Sequence, residues 1–315
     1  MDYTILGRTG LTVSVAGVGT GGPSRVGLSG GGTEENAVRV LRAALEQGVT
    51  FIDTAEAYRT EEVVRRAIDG EPRESVVIST KISPREDMDE DAVVRAVDER
   101  LRLLGTDYLD ICHFHAVIDA DYDRLVERAY PGLLLAREAG KVRFLGITER
   151  FNADPGHEML ARALDGDLWD VFMVGFNVLN QSARQRVLAR AAEKGIGVLV
   201  MFAVRLALSR RDRLVEVVGE LIGRGELDAD LLRRMGGSPD DPLGWVVNET
   251  DAATLVEVAY RLVRHEPGVH VTLSGTGSLE HLNENLASLQ KPPLDPSVVQ
   301  KLERLFARVD SVTAQ

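Results

Sequence analysis

In FIDTAEAYRTEE, residues 51–62, an apolar run stops abruptly on an acid. Val49 to Ile52 are apolar or β-prone, Asp53 follows directly, and Tyr58 lies in the loop beyond. A continuous apolar run marks a strand buried on both faces, as parallel sheets require. An acid at the carboxyl end of such a strand stands where parallel barrels gather their chemistry.

The same construction recurs along the chain. Strands are expected at 15–19 (VAGVG), 49–53 (VTFID), 76–80 (VVIST), 107–112 (DYLDIC), 142–147 (VRFLGI), 171–176 (VFMVGF), 197–202 (GVLVMF) and 269–274 (VHVTLS). Amphipathic segments separate them. ENAVRVLRAALEQG puts Val38, Leu41 and Leu45 on one stripe and stops at Gly48. DAVVRAVDERLRLLG repeats the design with Val94, Val97, Leu101 and Leu104. Eight such units favour the α/β class and a (β/α)8 TIM barrel over an open sheet. MDYTILGRTGLTVS reads as an N-terminal β-hairpin turning at Arg8-Thr9-Gly10, and PSVVQKLERLFARV as a closing helix. No linker interrupts the pattern, so residues 1–315 are expected as one barrel domain. Ala203 to Thr250, after the seventh strand, is a long helical insertion with RDRLVEVVGELIGRG as helix and GGSPDDPLG as loop. An insertion of this kind either covers a site or decorates the periphery.

Composition narrows the partners. The net charge of −12 argues against nucleic acid or an anionic membrane, both of which attract basic surfaces. A single cysteine, Cys112, excludes an internal disulfide framework and fits a reducing compartment. The opening MDYTILGRTG has no apolar signal core, and no run reaches the roughly 18 apolar residues of a membrane span. The expectation is a soluble cytoplasmic protein with a small-molecule substrate.

Gly17 to Gly22 fit G-x-G-x-x-G literally. A dinucleotide fingerprint also needs a helix opening at the third glycine and an acid about 20 residues on. Here Pro23, Gly27 and Gly30 to Gly32 prolong the loop, and the next strand ends well past that spacing at Asp53. These glycines are read instead as a sharp turn or a close approach of backbone to a ligand.

The ends of the next three strands carry Asp53 with Tyr58, then Lys81, then His113 and His115. A barrel brings these ends to one rim. Taken singly, each has an ordinary reading: a helix cap, a packed ring, a solvated amine, a rim histidine. Together they make chemical sense. A phenol, with its ordinary pKa near 10, is a poor proton donor at neutral pH unless an ammonium beside it favours the phenolate. A carboxylate holds that ammonium in place, and a histidine can hydrogen-bond a reacting oxygen. Such an acid suits protonation of a carbonyl while hydride arrives from a cofactor.

With these residues in view, the chain resembles the aldo-keto reductase family over nearly its whole length. LGRTGLTVSVAGVGTGG resembles the family's opening, DTAEAYRTEE its D-T-A-x-x-Y-G-x-S-E motif, and VVISTK its lysine strand. LGTDYLDICHFH resembles the histidine motif, GKVRFLGIT the fifth strand, and GTGSLEHLNENL the late cofactor segment. The resemblance implies a catalytic tetrad of Asp53, Tyr58, Lys81 and His115, with His113 a neighbour. It also implies NADP(H) or NAD(H) bound on the rim. The positions implied to hold it are Gly19, Thr20, Asp53, Thr148, Glu149, Met173, Met201, Ser274, Gly275, Thr276, His281, Glu284 and Asn285.

Several positions depart from the family pattern. Arg59 replaces a usual glycine and Glu61 a frequent serine. Glu149 stands where an asparagine commonly binds the nicotinamide carboxamide, Met173 replaces glutamine, and Met201 a stacking aromatic. From Gly275 to His281 no fixed positive charge is present to meet a 2′-phosphate, so NADH should be usable or preferred over NADPH. The substrate should be an aldehyde, ketone or sugar, or the corresponding alcohol, chosen by the loops Pro23–Thr33 and Ala116–Tyr122 and by the insertion. Arg25 and Arg205 are candidates to meet an anionic group or to make surface pairs. Two other readings stay open: a regulatory nucleotide-binding protein of weak turnover, and a barrel lyase or isomerase with Lys81 as a Schiff-base amine.

Overall fold

A computed structural model describes residues 1–315. Eight parallel strands close on themselves: β3 (Ala16–Gly19), β4 (Phe51–Asp53), β5 (Val77–Ile82), β6 (Leu109–Val117), β7 (Val142–Glu149), β8 (Val171–Gly175), β9 (Gly197–Met201) and β10 (Val271–Ser274). Before them β1 (Tyr3–Ile5) and β2 (Thr12–Ser14) form an antiparallel hairpin. The architecture is the (β/α)8 barrel with helices around it. Closure comes from β10 pairing with β3, where Thr272 lies beside Ala16 and Ser274 beside Val18.

The hairpin plugs the amino-terminal floor. Leu6, Leu11 and Val13 pack with the inward side chains Phe51, Val77, Ile111, Val171, Leu199 and Val271. Each such side chain, fully buried, stabilises the fold by roughly 1.5–3 kcal/mol. A Cβ at Gly197 would stand 2.7 Å from Leu6 Cγ, so that glycine lets the plug seat against β9.

Outside the barrel the helices bury their apolar stripes. The helix Glu34–Glu46 is capped by Thr33, whose side chain accepts from Asn36 N–H, and buries Val38 and Leu41. In Glu90–Leu104 the buried stripe is Val93, Val97, Arg100 and Leu104, with Val94 half-buried. Val97 and Leu104 are therefore buried as expected, whereas Val93 and Arg100 take the places expected of Val94 and Leu101. Arg100 sits in the stripe because it pairs with Glu61 at 3.2 Å. Three strands run past their expected ends: β5 through Lys81, β6 through both histidines and β7 through Glu149. Rim side chains are thereby held on strands rather than on loops.

The insertion after β9 is no free lid. Its helices Arg211–Gly223, Ala229–Arg234 and Gly244–Asn248 bury Leu214, Leu221, Leu232 and Trp245. These pack in one apolar core with Leu302, Leu305 and Phe306 of the C-terminal region. No helix is long and apolar enough to cross a membrane.

Candidate active site

The carboxyl rim brings Asp53, Tyr58, Lys81 and His115 together. Asp53 ends β4, and Lys81 lies on the neighbouring β5, fully buried. Lys81 Nζ donates to Asp53 Oδ2 at 2.6 Å and to the Thr54 carbonyl at 2.8 Å. The same ammonium lies 4.8 Å from the centre of the Tyr58 ring. Tyr58 closes a short helical turn after β4, and its hydroxyl stands 3.4 Å from His115 Nε2. The two rings meet edge to face at 5.3 Å. His115 lies where the pairing of β6 with β7 shifts register between Phe114 and Val117. An irregularity of this kind re-aims a side chain.

The backbone here is strained. Arg59, Ala116 and Phe202 are left-handed at φ 54, 54 and 66, and each directly follows Tyr58, His115 or Met201. Such conformations persist only where the surroundings over-determine them, and they cluster at functional sites. Thr148 Oγ1 accepts from Ala116 N–H at 2.7 Å, which secures the backbone beside His115. Arg25, itself at φ 44, donates from Nε to the Tyr58 carbonyl at 2.9 Å and so fastens the loop after β3 over the tyrosine. Gly21 makes this possible: a Cβ there would lie 2.4 Å from the Tyr58 ring. Gly27 and Gly277 approach just as closely, a Cβ on Gly277 falling 2.3 Å from Gly27 Cα. Of the glycines that mimic a dinucleotide fingerprint, Gly21 lets the loop pack on Tyr58 and Gly22 turns it at φ 71, while Gly19 borders the cavity.

Electrostatics sharpen the arrangement and correct one expectation. Burial pulls Lys81 down, but Asp53 and then Tyr58 outweigh it, so the amine stays charged. Burial and the Lys81 charge push His115 down to about 3, so its imidazole is neutral at working pH. Tyr58 is shifted up, not down: burial outweighs the pull of Lys81. The phenol is thus held protonated, with the Lys81 charge favouring the phenolate less strongly than burial opposes it.

A continuous cavity of about 1000 Å³ opens from this cluster. Asp53, Tyr58 and His115 border one end, Met173, Met201 and Phe202 a side, and Ser274, Gly275, Thr276, His281, Glu284 and Asn285 the other end. Gly19 also borders it. At the far end Ser274 Oγ receives hydrogen bonds from Tyr260 OH and Asn285 Nδ2, each at 3.0 Å. The helix Leu279–Leu289 begins there behind its Ser278 cap.

Three residues expected to hold the cofactor are turned away. Thr20 is buried and bonded to Thr60 Oγ1 at 2.7 Å. Thr148 is occupied by Ala116 as described. Glu149 is buried, with its carboxylate held by His157 Nδ1 at 2.9 Å and by Gly175 N–H at 2.7 Å. It cannot also receive a carboxamide, because its acceptors point into the wall between β7 and β8. Outside the Gly275–His281 stretch one fixed positive charge reaches the cavity. Lys291 borders the far end of the cavity, although no motif marks it, and its Nζ pairs with Glu257 at 2.8 Å.

The two arginines weighed for substrate binding have other work. Arg25 clasps Tyr58. Arg205 lies 4.1 Å over the Phe202 ring and bonds Asn152 and Gln315. Burial lowers its pKa to about 10. Cys112 is buried and its thiol pushed up to about 12, which makes it a packing residue. No cluster of His, Cys, Asp or Glu is arranged to hold a metal ion.

Barrel, buried ion pair, phenol and rim cavity describe the site, and comparison with known proteins gives its class. The sequence profile of the aldo/keto reductase family matches residues 17–307, and the chain belongs to that family. It is accordingly an oxidoreductase acting on carbonyls, in a family that uses NAD(P)H. L-galactose dehydrogenase of Arabidopsis thaliana is 30% identical over 63% of this chain and 64% of its own length, less than two thirds of that protein. Aldo-keto reductase YhdN of Bacillus subtilis (strain 168) is 27% identical over 90% of this chain and 88% of its own. The holo form of aldo-keto reductase AKR11C1 from Bacillus halodurans shares the fold with a TM-score of 0.73, over 99% and 98% of the two chains, at 22% identity.

Proposed function

We propose that this protein interconverts a small aldehyde, ketone or sugar carbonyl and its alcohol, with Tyr58 as the proton donor and acceptor. The carrying observation is Tyr58 on the cavity wall, its hydroxyl 3.4 Å from His115 and a charged lysine against its ring. The cavity fits an extended dinucleotide. It holds about 1000 Å³, its walls expose backbone at Gly19 and Gly275, and a helix amino terminus beside it offers N–H groups to phosphates. A bound nicotinamide nucleotide supplies the hydride.

The residues of the chain do the rest. Neutral His115 directs the carbonyl oxygen by a hydrogen bond from Nε2. Tyr58, kept protonated by burial, gives that oxygen its proton. Lys81, charged and fixed by Asp53, stabilises the phenolate left behind. The groups are in place beforehand, with Lys81 and Asp53 out of water, so little reorganisation is needed. Tyr58→Phe should lower kcat by about 10³-fold with nucleotide binding unchanged, since a positioned general acid contributes roughly 10²–10⁴-fold. Turnover surviving in that variant would sink the assignment. Wild-type protein that binds nucleotide but reduces no carbonyl would instead favour the regulatory reading, which the turned-away Glu149 motivates.

NADH is the proposed preferred nucleotide. Around the adenosine end Glu284 presents a carboxylate without an ion-pair partner, and the one lysine is already neutralised by Glu257. A 2′-phosphate finds no free guanidinium there. Titration followed by nucleotide emission tests this, and NADPH-selective binding would refute it. The L-galactose dehydrogenase relative makes a sugar the first substrate to screen.

A further inference from the structure

We infer that His113 and Ser79 are positioning residues that hold the Asp53 carboxylate in place beneath Lys81 and Tyr58. The inference rests on the roles proposed for those three residues.

Strand register brings the parts together. Asp53 lies beside Ser79, Lys81 beside His113, and His113 beside Gly146. Ser79 Oγ donates to Asp53 Oδ1 at 2.9 Å, while Lys81 takes the other carboxylate oxygen. His113 Nε2 lies 3.1 Å from Ser79 Oγ, and the imidazole is fully buried. A hydroxyl has one proton to give. A carboxylate only accepts, so that proton points at Asp53. His113 Nε2 must then be the donor to the Ser79 oxygen. This fixes the Nε2–H tautomer and leaves Nδ1 bare. Nδ1 is buried without a hydrogen bond of good geometry, as a nitrogen without a proton best tolerates; the Ile147 backbone near the ring pulls the other way, and burial and Lys81 outweigh it. Burial, then the Lys81 charge, pushes the His113 pKa well below its ordinary value, in keeping with a neutral ring. Gly146 makes room for it: a Cβ there would stand 2.2 Å from His113 Nδ1.

A directed chain results, from His113 to Ser79 to Asp53, with Lys81 meeting the carboxylate from the other side. A second charge would repel Lys81; a neutral histidine adds direction without charge. The titratable groups facing this chain are Asp53 from β4, Lys81 from β5, His115 from β6 and Tyr58 from the loop after β4, while β7 presents Gly146. Burial works against the Asp53 charge, and Lys81 and Ser79 work for it. Support for the carboxylate should therefore set the pH at which Asp53 takes up a proton and Lys81 loses its anchor.

The test is kcat against pH for reduction of 4-nitrobenzaldehyde with NADH or NADPH, in wild type, Ser79→Ala, His113→Leu, His113→Gln and Tyr58→Phe. Ser79→Ala should move the acid limb up by about one pH unit, the loss of one hydrogen bond to a charged group. His113→Leu should move it the same way by less. His113→Gln, whose amide can still donate to Ser79, should restore the wild-type limb, and KM should stay put throughout. In the nucleotide-free protein, ¹⁵N spectra of the imidazoles should show His113 protonated at Nε2 alone across neutral pH. A His113→Leu profile superimposed on wild type overturns the inference. So does His113 protonated at Nδ1, a readout that stands even if His113→Leu does not fold. Full turnover in Tyr58→Phe would instead overturn the proposed donor, a failure separate from this one.

Discussion

The two ends of the cavity are built on different principles. At the reacting end Lys81 and Asp53 are almost wholly out of water, and left-handed backbone follows both Tyr58 and His115. At the end proposed for adenosine, His281 and Glu284 are exposed, and the Lys291 side chain keeps 41% of its surface. A proton moves over a fraction of an ångström, so its donor must be fixed in a dry site. A nucleotide's adenosine end only has to be held, and exposed polar groups on a helix suffice for that. The strain is placed where position decides rate.

The contrast can be broken at its most crowded point. Gly21→Ala would set a methyl group 2.4 Å from the Tyr58 ring and must move one of them. The expected loss in kcat is about 10²-fold, the typical cost of a misplacement near 1 Å. Nucleotide affinity, read by emission titration, should change far less. A variant with wild-type kcat would show that the reacting end is looser than its geometry suggests.

The pH dependence sharpens the same picture. Tyr58 is shifted up from its ordinary value, so carbonyl reduction, which needs the phenol, should fall in alkali rather than through neutral pH, while its acid limb belongs to Asp53. Alcohol oxidation needs the phenolate and should rise about tenfold per pH unit below that pKa. His115, at about 3, should contribute no limb near neutrality. A reduction profile that breaks between roughly pH 6 and 7, where an ordinary histidine titrates, and that does not move in Ser79→Ala would mean a charged His115.

The smallest effect belongs to the exposed end. His281→Arg would supply the guanidinium that the far wall lacks. NADPH binding should tighten about tenfold relative to NADH, the value of one charge-assisted hydrogen bond, with kcat unmoved. A change in kcat would mean that the two ends are coupled.

Much of this was legible along the chain. The (β/α)8 barrel follows from repeated apolar runs and amphipathic stripes, because burial on both faces of a strand leaves a local, periodic mark. Asp53 and Lys81 stood out because each directly follows such a run. Other features left no such mark. Ser79 reads as one more β-strand residue, and its bond to Asp53 depends on register between two strands. Lys291 follows a helix without a motif, and packing alone brings it to the cavity. Glu149 was expected to face a nicotinamide and instead faces His157, a choice made by the left-handed turn at His157 and by the N–H of Gly175. Tyr58 was expected to shift down toward working pH, yet the loop clasped by Arg25 buries it enough for desolvation to win over Lys81. Local patterning thus settled the barrel and the rim chemistry, since both are written in neighbouring residues. Which side chains face the cavity, and the sign of the Tyr58 shift, were settled by long-range packing, because direction and desolvation are properties of surroundings assembled from distant parts of the chain.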